Sequence, residues 1–452
     1  MLDRIPKAAR YVTDELAGAF TKPTHARFVL LLLGAILTRG QHTVSNVLRV
    51  LEKLAVGHWS SYHRVLSKRR VWKWKLARIM ARLVLEAFYP DPAQPIPCCG
   101  DDTVDGHAGA KVYGKGCHRD AARSSHSFTA YRWGHKWAVL AILVSAPWAK
   151  RPWALPVMVA LYRPKKDDQQ AGRRHKTPSE LMQQMLRILI GWFPERKFVF
   201  SGDGGYGTHA LARFAHRHAK RLTLVSRYYP DANLYALPST PKGKRPGRPQ
   251  KKGKKCPSPQ QVVARTEKRQ KLTVNWYGGQ TKRLEVVSAI GHWYKGGQEL
   301  VPIRWVYVHH LSGTHCDDYF FTTDVSLSAK EIIEIFTGRW SIEVTFEELR
   351  AHLGLETTRG RCRNTVLRAA PWLFGLYTIV TLLYHGLPQR WQRERGLEWI
   401  GKDTTTFSDV ITAVRRWLWV EWVFETTCRT VGFTKLPLAF RRTVLAALTL
   451  AA

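Results

Sequence analysis

Acidic residues are scarce in this sequence. Its 452 residues include 34 Asp and Glu against 71 Lys and Arg, so the formal net charge is +37 and the isoelectric point is about 10.3. This excess of positive charge predicts a polyanionic partner, with nucleic acid as the leading candidate and an anionic membrane surface as the second. Because acids are so few, the positions where they concentrate are candidates for chemistry.

Long apolar runs, a secretory signal and paired cysteines are also missing. The longest apolar runs, 28–37 and 373–384, are shorter than the ~20 residues that span a bilayer, so both predict buried core helices and no membrane partner. The N-terminus has no continuous apolar segment. The seven cysteines form no CxxC pair, and an odd number of cysteines without a signal peptide argues for reduced thiols in a cytosol. A hydrophobic content of 45% with 18 Trp excludes a wholly disordered chain.

Residues 1–90 predict a helical domain that binds DNA. Apolar residues recur at helical spacing on both sides of Gly57, and the helix–turn–helix order resembles a DNA-binding motif. The alternative is a small helical domain whose basic face is merely solvated, but the net charge favours DNA contact. The predicted contacts in this domain are Arg64, Lys68, Arg69 and Arg70.

Residues 91–221 predict the first part of an α/β core. Strands are expected at 96–101, 136–145, 153–162, 198–203 and 222–228, with a helix capped by Thr177 and Pro178 before the fourth strand and another helix after it. The order β-β-β-α-β-α-β is that of the ribonuclease-H-like fold. The spacing alone supports an α/β sheet, and the more specific name depends on the acids.

The rest of the chain is expected to fall into three parts. Residues 222–325 predict a β-rich insertion that contains a flexible basic linker at 238–261, with eight basic residues, no acids and many Pro and Gly. Residues 326–390 predict one long catalytic helix, capped by Ser328, and the end of the core. Residues 391–452 predict a helical C-terminal region.

Three groups of acids fall at positions suited to catalysis. Asp101, Asp102 and Asp105 lie at the end of the first strand, where Asp105 is expected to be a turn residue. Asp203 ends another strand within a glycine-rich turn, and Glu343 lies on the long helix. Cleavage of a phosphodiester by two metal ions needs several carboxylates that converge on Mg²⁺, which prefers oxygen ligands. Taken singly, each acid is explained better by a turn, a helix cap or an ion pair.

The pattern around the third acid resembles a known signature. Phe336, Arg339, Glu343 and Arg350 stand as F-x2-R-x3-E-x6-R, which is similar to the Tyr-Arg-Glu-Lys signature of bacterial insertion-sequence transposases of the DDE superfamily. The DDT and SGDGGYG segments resemble the first two Asp motifs of that family. Phe replaces the usual Tyr and Arg350 the usual Lys, which keeps the charge.

The resemblance implies an enzyme with a ribonuclease-H-like catalytic core, a β-rich insertion, and helical regions at both ends. Asp101, Asp203 and Glu343 would hold two Mg²⁺ ions, which Mn²⁺ can replace, with Asp102 in reserve as the first acid. Arg339 and Arg350 would hold the DNA backbone. The expected partners are double-stranded DNA, at the element ends and the target, and a second copy of the chain, in the bacterial cytosol near the nucleoid.

The basic linker adds a second predicted DNA contact. KRPGRP resembles a minor-groove hook in which Arg side chains enter narrow A·T-rich grooves, although a solvated loop explains the composition equally well. The predicted contacts are Arg245, Arg248, Lys251, Lys252, Lys254 and Lys255. Two alternatives for the whole chain stay open: another metal-dependent nuclease of the same fold, or a DNA-binding protein whose catalytic site has lapsed.

Overall fold

The computed structural model describes residues 5–120, 124, 127–238, 250–311, 317–393, 396, 400–427 and 429–451. The β-strands are β1 Ile96–Gly106, β2 Gly116–Arg119, β3 Tyr131–Val144, β4 Trp153–Tyr162, β5 Phe198–Gly202, β6 Leu222–Arg227, β7 Leu234–Tyr235, β8 Gln270–Asn275, β9 Thr281–Trp293, β10 Val301–His309 and β11 Asp318–Thr322. The α-helices are α1 Lys7–Glu15, α2 Lys22–Leu37, α3 Val44–Leu51, α4 Ser60–Ser67, α5 Lys73–Phe88, α6 Lys165–Gln170, α7 Pro178–Trp192, α8 His209–Arg217, α9 Pro259–Arg265, α10 Ala329–Gly338, α11 Ser341–His352, α12 Arg363–His385, α13 Gln389–Gln392, α14 Phe407–Leu418, α15 Thr430–Thr434 and α16 Leu438–Thr449. The molecule is a mixed α/β protein.

The first three predicted strands, which are β1, β3 and β4 of the structure, form the centre of one mixed sheet together with β5 and β6. Their spatial order is β4-β3-β1-β5-β6, in which β1, β5 and β6 are parallel and β3 is antiparallel to both of its neighbours. Every residue of 137–144 in β3 is buried, which explains why that stretch is apolar at consecutive positions and does not alternate. Helix α7 begins at the predicted cap, where Thr177 Oγ1 accepts from the backbone N–H of Glu180 (3.2 Å).

The sequence fits a small inserted sheet in this region, and the structure shows that these strands continue the central sheet. Strand β11 pairs with β6 on one side and β10 on the other, so the sheet runs on through β11, β10, β9 and β7, with β8 also on β9. Residues 318–322 make this join. The sequence pattern does not reveal the join, because β11 and β6 pair across more than ninety positions of the chain.

The helical regions at the two ends of the chain share a core. Helix α2 packs on α14, and α12 packs on α1, α4 and α5. Arg415 of α14 is 1% exposed and donates from Nε to the carbonyl of Ile36 (2.7 Å) and from Nη2 to that of Thr38 (3.1 Å), at the C-terminal end of α2. Helices from the N-terminal and C-terminal regions therefore pack into one common core.

The two apolar runs are core helices, as predicted. Residues 28–37 of α2 and 373–384 of α12 are buried throughout, apart from part of Gly375. Helix α12 is long and apolar enough to cross a bilayer by length and composition, but 72% of its most apolar window is buried inside the protein. Such burial is that of a core helix.

Two predicted elements differ in detail from the structure. The long catalytic helix is two helices, α10 and α11, because the chain breaks its helical bonding around Gly338 and Trp340. The basic linker is described from residue 250, and there it is held in place: Ala236 donates to Lys254 (2.9 Å), Cys256 donates to Leu234 (2.9 Å), and α9 begins at Pro259. The described part of the linker is therefore attached to β7.

Candidate active site

The first two acids lie side by side where the parallel pairing of β1 with β5 ends. The sequence predicts that the first strand ends at Asp101, but β1 continues to Gly106, so Asp101 lies within it. Gly100 of β1 pairs with Gly202 of β5, and the next residues along the chain are Asp101 and Asp203. A Cβ at Gly100 would come within 2.5 Å of the Met182 side chain, so the strands and α7 approach closely only because this position has no side chain. Parallel pairing thus delivers both carboxylates to one edge of the sheet.

Backbone contacts hold the turn after β5. Asp203 Oδ1 accepts from the backbone N–H of Gly205 (3.0 Å). The hydroxyl of Ser226, on the neighbouring strand β6, contacts the carbonyl oxygens of Gly202 (2.9 Å) and Asp203 (2.7 Å). Asp203 is therefore held by backbone contacts on both sides of the turn.

Arg339 links the strand acids to the third acid. Its Nη1 donates to Asp101 Oδ2 (2.5 Å) and its Nη2 to Glu343 Oε1 (3.1 Å). The guanidinium lies above the ring of Phe336 (5.5 Å), which is fully buried against Phe320. The break between α10 and α11 turns Arg339 inward, and Glu343 follows in the first turn of α11.

The electrostatics show carboxylates that lack full compensation. Burial raises the pKa of Asp101 to about 7; Arg339 opposes this rise, and Asp203 and Asp102 add to it. Burial also raises the pKa of Asp203, again against Arg339. Burial disfavours the charge of Arg339 as well, but the acids around it dominate and its pKa is raised. One buried cation thus serves a group of acids that would accept further positive charge.

Asp102 lies in the same neighbourhood with a different partner. It pairs with Lys136 of β3, and its charge also raises the pKa of Asp203. Asp101, by contrast, is bonded to the arginine that reaches Glu343. The choice of Asp101 as the first acid stays a prediction, and this contact favours it over Asp102.

The predicted DNA-backbone arginines lie in different surroundings. Arg339 is 8% exposed and bonded to the acids, so its predicted DNA contact would require it to leave them. Arg350 is exposed, and it also ties α11 to β1 through Thr103 Oγ1 (2.5 Å) and to Glu356 Oε1 (3.1 Å). Both assignments stay predictions.

The other predicted DNA contacts lie on the surface where they are described. Arg64, Lys68, Arg69 and Arg70, on α4 and the turn that follows, are all exposed. In the linker, Lys251, Lys254 and Lys255 are exposed, whereas Lys252 lies over the rings of Tyr235 (4.0 Å) and Tyr294 (4.6 Å). Arg245 and Arg248 lie outside the described residues. Lys252 is thus engaged with aromatic rings in the free chain.

Sequence reasoning missed two features next to the acids. Tyr206 is 1% exposed, its hydroxyl has no hydrogen-bond partner among the described residues, and burial beside Asp102, Asp101 and Asp203 raises its pKa further above the usual range. Its place in the SGDGGYG turn was the available signal. The second feature is a group of Asp105, His107 and His135 on and beside β1 and β3. The expectation of Asp105 as a turn residue is wrong, because Asp105 lies within β1 and is fully buried. No local pattern reveals the group, since His135 is 28 residues beyond His107.

Comparison with known proteins places the chain in a family. Residues 15–283, more than half of the sequence, match the family profile described as DDE superfamily endonuclease. The chain belongs to the DDE superfamily. Residues 301–368 match the profile described as archaeal putative transposase ISC1217, so the chain is a DDE-superfamily transposase. Asp101 and Asp203 fall in the first range and Glu343 in the second.

The other comparisons of this chain with known proteins give a weaker match or none. No curated protein matches the sequence. Among solved structures, a piggyBac transposase synaptic complex with hairpin DNA is similar over 99% of this chain and 82% of its own, at 9% identity and a TM-score of 0.41, which is too low to support an argument. The branch with the Tyr-Arg-Glu-Lys signature therefore stays a prediction for this DDE transposase.

Proposed function

We propose that this transposase binds the terminal inverted repeats of a mobile element, cleaves the phosphodiester at each end, and joins the freed 3′-hydroxyls to target DNA. The observation that carries the proposal is the contact of Arg339 with both Asp101 and Glu343, which gathers acids from a strand and a helix at one edge of the sheet. The strand order β4-β3-β1-β5-β6 supports a ribonuclease-H-like core.

The residues present fit two Mg²⁺ ions. Asp101, Asp203 and Glu343 offer only oxygen ligands, which Mg²⁺ and Mn²⁺ accept, and the raised pKa of Asp101 marks a carboxylate that further positive charge would stabilise. These three residues would hold the ions. When bound, the ions would activate the attacking water or 3′-hydroxyl and stabilise the leaving oxygen.

The chain's own groups have separate tasks in this proposal. Arg339 is a positioning residue in the metal-free chain, because it holds Asp101 and Glu343 through one guanidinium. Arg350, exposed and already tied to β1, is placed to bind a DNA phosphate beside the site with its planar fork. Asp101 and Asp203 are half-buried, which raises the pKa of both carboxyls and favours the binding of further positive charge.

DNA binding would use the exposed basic residues of two regions. Helix α4 and the turn after it offer four positive side chains that can neutralise phosphates, and the linker offers Lys251, Lys254 and Lys255. Two element ends must be brought together, so we propose a homodimer on DNA. The expected setting is the bacterial cytosol, where the target DNA lies.

A nicking and joining assay tests the proposal. Purified chain with Mg²⁺ and terminal-repeat DNA should cleave the ends and join them to a target, and Asp203→Asn or Glu343→Gln should abolish cleavage while end binding persists. Asp231→Asn, at an exposed turn acid, is the matched control and should remain active. Cleavage without joining would indicate a simple nuclease, and binding without cleavage by the unaltered chain would indicate a lapsed enzyme.

A further inference from the structure

A second group of metal-ligating side chains lies on the same strand as the first acid. Asp105 of β1 and His135 of β3 are directly opposite each other in the antiparallel ladder, and His107 follows the end of β1. One ligand atom from each of the three residues lies within 4.8 Å of the others. The group is four residues beyond Asp101 and shares no side chain with the acids described above.

The Asp105 carboxylate is buried without a partner. Asp105 is 0% exposed, and neither of its oxygens has a hydrogen bond from a described donor. The indole of Trp137 is near enough to oppose the rise in pKa that burial causes, but its N–H is outside hydrogen-bond geometry, and His107 Nε2 is 3.9 Å away. Buried charges are normally paired or bound to a metal, so this carboxylate lacks its usual compensation.

The nearby cations are engaged elsewhere. Arg132 donates from Nη1 to Glu356 Oε1 (2.8 Å) and from Nη2 to Glu356 Oε2 (2.5 Å). Arg350 is bonded to Glu356 and Thr103. Both arginines lower the pKa of Asp105 from a distance, but neither bonds to it. The positive charge that Asp105 lacks is therefore not supplied by these side chains.

The hydrogen bonding and burial of the two histidines favour metal binding. His135 Nε2 lies 3.0 Å from the carbonyl oxygen of Tyr113, which can only accept, so Nε2 carries the proton and Nδ1 keeps its lone pair. Metal-binding histidines usually have this second hydrogen bond, which fixes the ring. The rings of His107 and His135 meet edge to face with centroids 4.7 Å apart, and burial lowers the pKa of both imidazoles.

We propose that Asp105, His107 and His135 bind a divalent transition metal of the zinc type, at a site separate from the oxygen-only Mg²⁺ site. Two imidazoles and one carboxylate are a donor set that suits Zn²⁺, Fe²⁺ or Co²⁺ rather than Mg²⁺. Three protein ligands leave one position for water. The proposal does not depend on the transposase function, because none of its ligands belongs to the catalytic acids.

The bound metal would link the end of β1 to β3. Asp105 and His107 lie in and directly after β1, and His135 lies on β3, next to the Arg132–Glu356–Arg350 ion pairs at the end of α11. Asp101 lies on β1 with Asp105, and Glu343 lies on α11 with Arg350. Metal binding would therefore stabilise the part of the sheet that carries the proposed catalytic acids.

Metal binding to a chain without catalytic acids tests the proposal. The triple variant Asp101→Asn, Asp203→Asn, Glu343→Gln is stripped with a chelator and titrated with Co²⁺, and the visible absorption of bound Co²⁺ and the metal content after dialysis are measured. One equivalent per chain is expected, together with a higher melting temperature when Zn²⁺ is added. Absence of a tightly held equivalent in this background would overturn the proposal.

Further substitutions in that background locate the metal. Asp105→Asn, which keeps the side-chain size, and His107→Ala at the end of the strand should each weaken Co²⁺ binding by at least tenfold and remove the rise in melting temperature. The matched control is the surface pair His309 and Asp317 (2.8 Å), where His309→Ala should change neither reading. Unchanged binding in both Asp105→Asn and His107→Ala would also overturn the proposal. Circular dichroism in chelator establishes that each variant is folded.

Discussion

Replacing Asp101 by Asn should stabilise the metal-free chain at alkaline pH. Burial raises the pKa of Asp101 from 3.8 to about 7 in the folded state. Between these values the folded chain binds more protons at this site than the unfolded chain, so its free energy of unfolding falls as the pH rises and then levels off above pH ~7. The Asn variant lacks this titration, so its stability relative to the unaltered chain should rise across the same range.

The size of the effect follows from the same values. A rise from 3.8 to about 7 is worth about 4 kcal/mol, because a tenfold change in the acidity constant corresponds to about 1.4 kcal/mol. The bond to Arg339 favours the charged carboxylate, so its contribution is already included in the pKa of about 7. Between pH 4.5 and pH 8 the difference between variant and unaltered chain should therefore change by about 3–4 kcal/mol.

Urea unfolding in chelator, at a series of pH values, measures this difference. The control Asp231→Asn, at an exposed acid, should give a constant offset. Saturating Mg²⁺ should then stabilise the unaltered chain, by about 2.7 kcal/mol at a hundred times its dissociation constant, and should not stabilise Asp101→Asn. Parallel pH profiles for Asp101→Asn and the unaltered chain would refute the reasoning, because they would mean that Asp101 is not a buried, poorly compensated carboxylate.

Three further predictions concern the helix, the basic surface and a helix cap. Arg350→Ala should reduce strand transfer more than Arg350→Lys, measured on pre-nicked ends; equal activity of both variants and the unaltered chain would leave this arginine only its contacts to Thr103 and Glu356. Changing the four exposed basic residues at 64 and 68–70 to Ser should flatten the log–log salt dependence of DNA binding by up to about 3–4 units, since each phosphate contact contributes a slope of about −0.9; an unchanged slope would show that this surface does not touch DNA. Thr177→Ala should lower the free energy of unfolding by about 1 kcal/mol, because it removes the cap of α7, and Thr177→Ser should restore it; equal stability of the two would contradict the capping role.

Local features of the fold were predictable from the sequence. Thr177 and Ser328 cap helices as expected, because a capping box depends only on residues three apart. The placement of Asp203 directly after a strand needed only an apolar run followed by an acid and glycine, whereas β1 continues through Asp101 to Gly106. The adjacency of Asp101 and Asp203 could be expected once those strands were assumed to be parallel neighbours.

Features that depend on distant partners could not be predicted in this way. Arg339 points inward because the chain breaks between α10 and α11, although the spacing of apolar residues there predicts one continuous helix. Phe336 lies under the Arg339 guanidinium and packs on Phe320 of β11. The pairing of Asp105 with His135 depends on the register of two strands, and a shift of one residue would place these side chains on opposite faces. The continuity of the sheet through β11 likewise depends on pairing between residues almost a hundred positions apart.

The buried Arg415 has a consequence for synthesis on the ribosome. The carbonyl of Ile36 accepts a hydrogen bond from Arg415, which lies 379 residues further along the chain. At a synthesis rate of 5–20 residues per second, Arg415 is made about 20–80 s after Ile36. Throughout that interval the apolar α2 lacks its final cover from α14 and must be shielded by the helices already made or by a chaperone. Nascent chains released before α14 should therefore aggregate rather than accumulate as folded N-terminal fragments, and cleavage-competent enzyme should appear only with nearly finished chains.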